Sequence, residues 1–261
     1  MYLHHEESIE TVTAFFKNDP EAEALLLGGS IAHGFEAPNS DIDVMILVPD
    51  RNYAERLRAG RIHYYSNEGC HYEGGYVDGK YVSPDFLRQV ALRGSEPARF
   101  AFQDARVLFS RGKPLEPHLQ AIVRYPVAGK TERLRRFYAQ FEAWNWYANE
   151  ALRLSNRYLL GVSIGKLVLF GGRLILAHNE LLYPYHKWMM RVLERAKDKP
   201  PSLMARIDGV YADPGAESIR GFYELIKGFF DWAEKETGWP NQFMIDSELN
   251  WQAGTGSIDD V

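Results

Sequence analysis

Residues 24–48 read ALLLGGSIAHGFEAPNSDIDVMILV. One apolar run ends in Gly28-Gly29-Ser30, and a second carries Asp41 and Asp43 at its head. Both runs have the length and composition of buried strands. Alternate residues of a strand face the same side, so Asp41 and Asp43 share a face while Ile42 and Val44 turn into a core. Two carboxylates that close repel one another unless a cation or a proton comes between them. Carboxylate, water and phosphate oxygen make up the ligand set that Mg²⁺ prefers. The Gly-Gly-Ser turn has backbone N–H groups open to close approach and a hydroxyl beside them, which is how loops hold phosphate oxygens.

Outward from this stretch, the chain reads as two kinds of sequence. Residues 7–17, ESIETVTAFFK, carry Ile9, Val12, Phe15 and Phe16 at helical spacing behind an acidic first turn. RIHYYSNEG and HYEGGYVDGKYVS, at 61–69 and 71–83, are rich in aromatic and β-branched residues and predict further strands. SPDFLRQVALRG opens with a helix-start signal, and ARVLFSRG reads as one more short strand. Beyond about residue 115 strand signals give way to helical patterns over 130–160, 162–196 and 217–237. The expected plan is α+β, with an N-terminal mixed sheet and flanking helices over 1–115 and an all-helical domain over 116–261.

Bulk composition narrows the function. A chain of 261 residues with 46% hydrophobic content builds a sizeable core. A net charge of −5 disfavours a protein that relies on broad attraction to nucleic acid or acidic lipid. The lone Cys70 excludes an internal disulfide framework, which suits a reducing compartment, and the cytoplasm is the expected location. The N-terminus does not read as a signal peptide. The most apolar segment, YLLGVSIGKLVLFGGRLILAH, is interrupted by Lys166 and Arg173 and reads as one or two buried helical segments, with no membrane association expected.

Two metals, or a metal and a general base, flanking a transferring phosphoryl group call for a third carboxylate. GGYVDGKYVS offers Asp78, with Glu73 as the alternative. Asp78 lies between Val77 and the strand-like KYV and is preferred, whereas Glu73 precedes two glycines. Asp78-Gly79 is also a two-residue turn signal, which would move the third carboxylate to Glu73.

The pattern of apolar strand, Gly29-Ser30, ten residues, Asp41-Ile42-Asp43 and a later strand with Asp78 resembles the DNA polymerase β-like nucleotidyltransferase superfamily. The layout with an appended helical domain is similar to the aminoglycoside and lincosamide nucleotidyltransferases and their uncharacterised bacterial relatives. The resemblance implies that Gly29 and Ser30 contact the nucleotide phosphates. It further implies that Asp41 and Asp43 bind Mg²⁺, and that Asp78 binds a second Mg²⁺ or activates the acceptor hydroxyl. QDARVLFSRG is similar to the segment that closes the catalytic sheet, with Asp104 before a strand, and HNELLYPYHKWMMRVLE resembles a helix and turn that places a lysine, here Lys187, on the phosphates. His33, between the halves of the first motif, is placed to touch substrate or phosphate, although a loop histidine is more often merely exposed.

These readings converge on an enzyme that moves a nucleoside monophosphate from ATP or another NTP to a hydroxyl of a small molecule, with an aminoglycoside-like compound as one candidate and the cleft between the domains as its place. Modification of a protein or tRNA is the enzymatic alternative, and the absence of a basic stripe disfavours tRNA. A nucleotide-binding or interaction module without catalysis is the other.

Overall fold

The computed structural model describes residues 1–112, 114–232 and 237–253. The chain divides into two compact units, Met1–Arg124 and Tyr125–Val261. The first contains helix α1 (Leu3–Asn18), strand β1 (Ala24–Leu27), the short helix α2 (Gly29–His33), β2 (Ile42–Leu47), α3 (Asp50–Arg58), β3 (His63–Ser66), β4 (Val77–Val82), α4 (Pro84–Arg93), α5 (Glu96–Phe100), β5 (Arg106–Ser110) and α6 (Glu116–Val123). The five strands form one mixed sheet in the order β3-β4-β2-β1-β5. Only β2 and β4 run parallel, which brings Asp43 opposite Asp78 in register.

Period-two alternation splits the sheet into two apolar faces. Leu25, Leu27, Ile42, Val44, Ile46 and Val77 join Ile9, Val12 and Phe16 of α1 on one side. Ala24, Leu26, Met45, Leu47 and Val82 join Leu87 and Val90 of α4 and Leu119 and Ile122 of α6 on the other. Packing of α6 against this second face is why the unit ends at Arg124 rather than at residue 115. Asp43 follows the phase of Met45 and Leu47, and Asp78 that of Val82, so both carboxylates lie on the α4/α6 face at the end where β2 and β4 begin.

Local signals account for some of these elements. Ser83 Oγ accepts a hydrogen bond from the Phe86 N–H at 3.2 Å, with Pro84 in the first turn, so the Ser-Pro-Asp signal does cap α4. The short helix α2 begins within the Gly-Gly-Ser turn, and Gly34 closes it in the left-handed conformation.

The second unit is helical: α7 (Lys130–Arg153), α8 (Arg157–His178), α9 (Met189–Arg195), α10 (Leu203–Ala212), α11 (Ala216–Lys227), α12 (Trp239–Asp246) and α13 (Glu248–Ala253). The α+β plan of the sequence reading is thus the observed one. Phe137 and Phe141, four residues apart on α7, are both buried. The pattern over 162–196 is two helices, because Glu180 and Tyr185 adopt left-handed backbone angles (φ 57° and 66°) around Pro184. Among the described residues α8 alone is long and apolar enough to cross a membrane, with a mean hydropathy of 1.8. Two thirds of that segment is buried within the protein, and Arg173 in its C-terminal half is 1% exposed between the rings of Phe137 and Tyr183.

Candidate active site

Asp41, Asp43 and Asp78 each present a carboxylate oxygen within 4.8 Å of the other two, and all three are half-buried. Asp41 ends the connection into β2, Asp43 is the second residue of β2, and Asp78 the second of β4. Asp78-Gly79 is not a hairpin turn: Gly79 lies within β4, opposite Val44 of β2 and Tyr64 of β3. A Cβ at Gly79 would stand 3.0 Å from Val44 Cγ2 and 3.2 Å from Tyr64 Cβ, so the glycine lets side chains from both neighbouring strands close over it. Glu73 sits exposed on the loop before β4, outside the group of three.

Three like charges at this separation are unfavourable by themselves. At an effective dielectric between 20 and 80, each ionised pair is repelled by about 1–4 kcal/mol. Relief comes from a cation, and an all-oxygen donor set open to water suits Mg²⁺ or Mn²⁺. The residues present therefore fit a divalent metal.

The Gly-Gly-Ser turn is built against the same carboxylates. Gly28 N–H donates to the Asp43 carbonyl at 2.9 Å. Gly29 has φ 60°, and a Cβ there would lie 1.7 Å from Asp43 Oδ2, so only glycine leaves room for the Asp43 side chain. Ser30 is 4% exposed, and its Oγ has no hydrogen-bond partner among the described residues. A buried hydroxyl left so costs about 1–3 kcal/mol unless something accepts from or donates to it.

Several neighbours went unrecognised in the sequence. Tyr76, just before β4, stands beside Asp41; the interaction of its hydroxyl with the Asp41 carboxylate, then the Asp41 charge, and further those of Asp78 and Asp43 hold its phenol above the ordinary value. Lys80 shares the face of Asp78. Although part of its side chain is open to solvent, the protein crowded around its ammonium pushes it below the usual lysine value, and the Asp43 charge opposes the shift. His63 of β3 places Nε2 2.7 Å from Asp78 Oδ1. Their signal was alternation: Asp78 and Lys80 occupy one face of β4, as His63 and Tyr65 occupy one face of β3.

Other sequence candidates lie elsewhere. His33 is buried, not exposed; its ring packs 4.6 Å from that of Phe100, and its Nδ1 is 3.4 Å from Asp104 Oδ2. Asp104 adopts φ 60° just before β5, the strand that ends the sheet beside β1. Lys187 belongs to the helical unit, exposed, with Nζ 4.9 Å from the Trp188 ring centroid.

Residues 9–75 match the family described as nucleotidyltransferase domain. The match takes in the glycine turn, Asp41 and Asp43, and stops short of Asp78. No curated protein matches the chain. Among solved structures, a nucleotidyltransferase-like protein from Exiguobacterium sibiricum 255-15 is 10% identical, with a TM-score of 0.46 over 86% of this chain and 74% of that one. Residues 9–75 thus carry the signature of a nucleotidyltransferase domain, and the group of three aspartates fits a metal-dependent member of that family.

Proposed function

We propose that this enzyme transfers a nucleoside monophosphate from a nucleoside triphosphate, ATP in the first instance, to a hydroxyl group of a small molecule. The acceptor oxygen forms a bond to the α-phosphorus, the bond from that phosphorus to the bridging oxygen breaks, and pyrophosphate leaves with that oxygen. The observation that carries this reading is the meeting of Asp41, Asp43 and Asp78 beside a glycine turn that has no room for a side chain.

Asp41 and Asp43 would hold Mg²⁺, with Asp78 completing the set or taking part in a second site. When bound, the metal neutralises phosphate charge and makes the acceptor hydroxyl more acidic. Asp78 is assigned the hydroxyl proton. The hydroxyl of Ser30 and the backbone around Gly29 hold phosphate oxygens, which would give the buried Ser30 Oγ a partner. Lys80, on the same face of β4 as Asp78, supplies positive charge for the leaving pyrophosphate. Transfer of this kind depends mainly on positioning and electrostatics, so these residues need only hold charge in place. A cationic, hydroxyl-rich acceptor of the aminoglycoside type would suit three carboxylates. A cytoplasmic setting, where ATP and Mg²⁺ are both abundant, is part of the same proposal.

The test uses ATP labelled at either the α- or the γ-phosphate, with Mg²⁺ and a panel of hydroxyl-bearing small molecules, proteins and RNA. The expected result is transfer of the α-label to a small molecule with release of pyrophosphate. Transfer of the γ-label, or α-label found on protein or RNA alone, would overturn the reading.

A further inference from the structure

Asp78 is held by more than its own strand. β3 pairs antiparallel with β4, with Tyr65 opposite Asp78 and His63 opposite Lys80. His63 is therefore the diagonal neighbour of Asp78 on the same face, a separation that a long side chain spans. It does so here, with Nε2 2.7 Å from Asp78 Oδ1. An ionised carboxylate only accepts hydrogen bonds, so the shared hydrogen sits on Nε2 and the imidazole is the donor.

The surroundings give His63 little other reason to be ordered. Its side chain is 66% exposed, and β3 is the edge strand of the sheet, so no packing layer encloses the ring. Taken alone, such an exposed pair contributes about 0–1 kcal/mol to stability. Its position matters more, because the carboxylate it engages belongs to the group of three. A free carboxylate rotates about its Cβ–Cγ bond and offers either oxygen. Once Oδ1 is bonded to His63, rotation is restrained and Oδ2 is left for a cation or an acceptor.

We infer that His63 is a positioning residue, whose Nε2–H fixes the Asp78 carboxylate so that a defined oxygen is presented beside Asp41 and Asp43. This rests on the proposed reading of the three aspartates as a metal site. Residues that orient a metal-binding carboxylate typically change metal affinity by about ten- to a hundredfold when removed.

The test is Mn²⁺ binding to the full chain, followed by loss of the free-ion EPR signal, with thermal unfolding of each variant alongside. His63→Ala should weaken Mn²⁺ affinity about tenfold with an unchanged melting midpoint. His63→Gln, whose amide places an N–H near the Nε2 position, should recover most of the affinity. If His63→Ala fails to melt cooperatively, His63→Phe, which keeps a ring and has no donor, replaces it in the comparison. Wild-type affinity in the donor-less variant would overturn the role of His63 and leave the metal site standing, as would equal losses in the Gln and donor-less variants. Absence of saturable Mn²⁺ binding by the wild-type chain would overturn both.

Discussion

Two segments of the N-terminal unit deliver the candidate site in different ways. The segment from β1 to β2 carries the glycine turn, Asp41 and Asp43 within one continuous stretch, and its parts contact each other directly. The segment from β3 to β4 carries His63 and Asp78, which reach the site only because β4 lies parallel to β2 with Asp78 opposite Asp43. The first segment is a local motif and the second is a product of sheet register. Damage to the first should disturb the glycine turn and two carboxylates together, whereas damage to the second should remove one carboxylate or loosen its hold.

The largest effect is expected from Asp43→Asn. Nucleotidyl transfer should fall on the order of 10³-fold, as for the loss of a central electrostatic group, with the unfolding transition intact. Steady-state transfer assays and circular dichroism check both halves, and retained turnover would break the assignment of the first segment.

Gly29→Ala comes next. A left-handed backbone on alanine costs about 1–3 kcal/mol, and the added methyl must also displace the Asp43 carboxylate. A lowered melting midpoint together with weakened Mn²⁺ binding is expected. A fall in stability with metal affinity unchanged would mean that the turn does not shape the site.

Ser30→Ala is expected to be milder and of a different kind. Because the buried Oγ has no internal partner among the described residues, its removal should leave stability unchanged or slightly raised. The KM for the nucleotide should rise about tenfold, corresponding to one lost hydrogen bond to a charged phosphate. Unchanged KM would remove Ser30 from the phosphate contacts.

The same contrast explains what was legible in the sequence. The apolar runs, the Gly-Gly-Ser turn and the alternation of Asp41 with Asp43 are near neighbours in the chain, and strand geometry alone orders them. Asp78 was readable only with a turn reading beside it, because Asp78-Gly79 is also a hairpin signal. What makes Gly79 a strand residue is the closeness of Val44 and Tyr64 on neighbouring strands, which the chain order does not display. His63, Tyr76 and Lys80 depend on the same pairing and were missed. His33 looked exposed because its burial comes from Phe100, remote in sequence. In the helical unit periodicity marked α7, α8, α9 and α11 and missed α10, α12 and α13, and the break between α8 and α9 hides in left-handed residues that are not glycine. The short α2 escaped notice because five residues are too few to display a period.

The central claim is that the two segments complete one cation site. The most direct test is the Mn²⁺ affinity of Asp78→Asn beside that of Asp41→Asn, each in a chain with an unaltered unfolding transition. The account predicts that Asp78→Asn, a change outside the local motif, weakens binding at least about tenfold, as loss of a charged ligand worth some 1.4 kcal/mol or more would. Wild-type affinity in Asp78→Asn, with binding lost in Asp41→Asn, would contradict it.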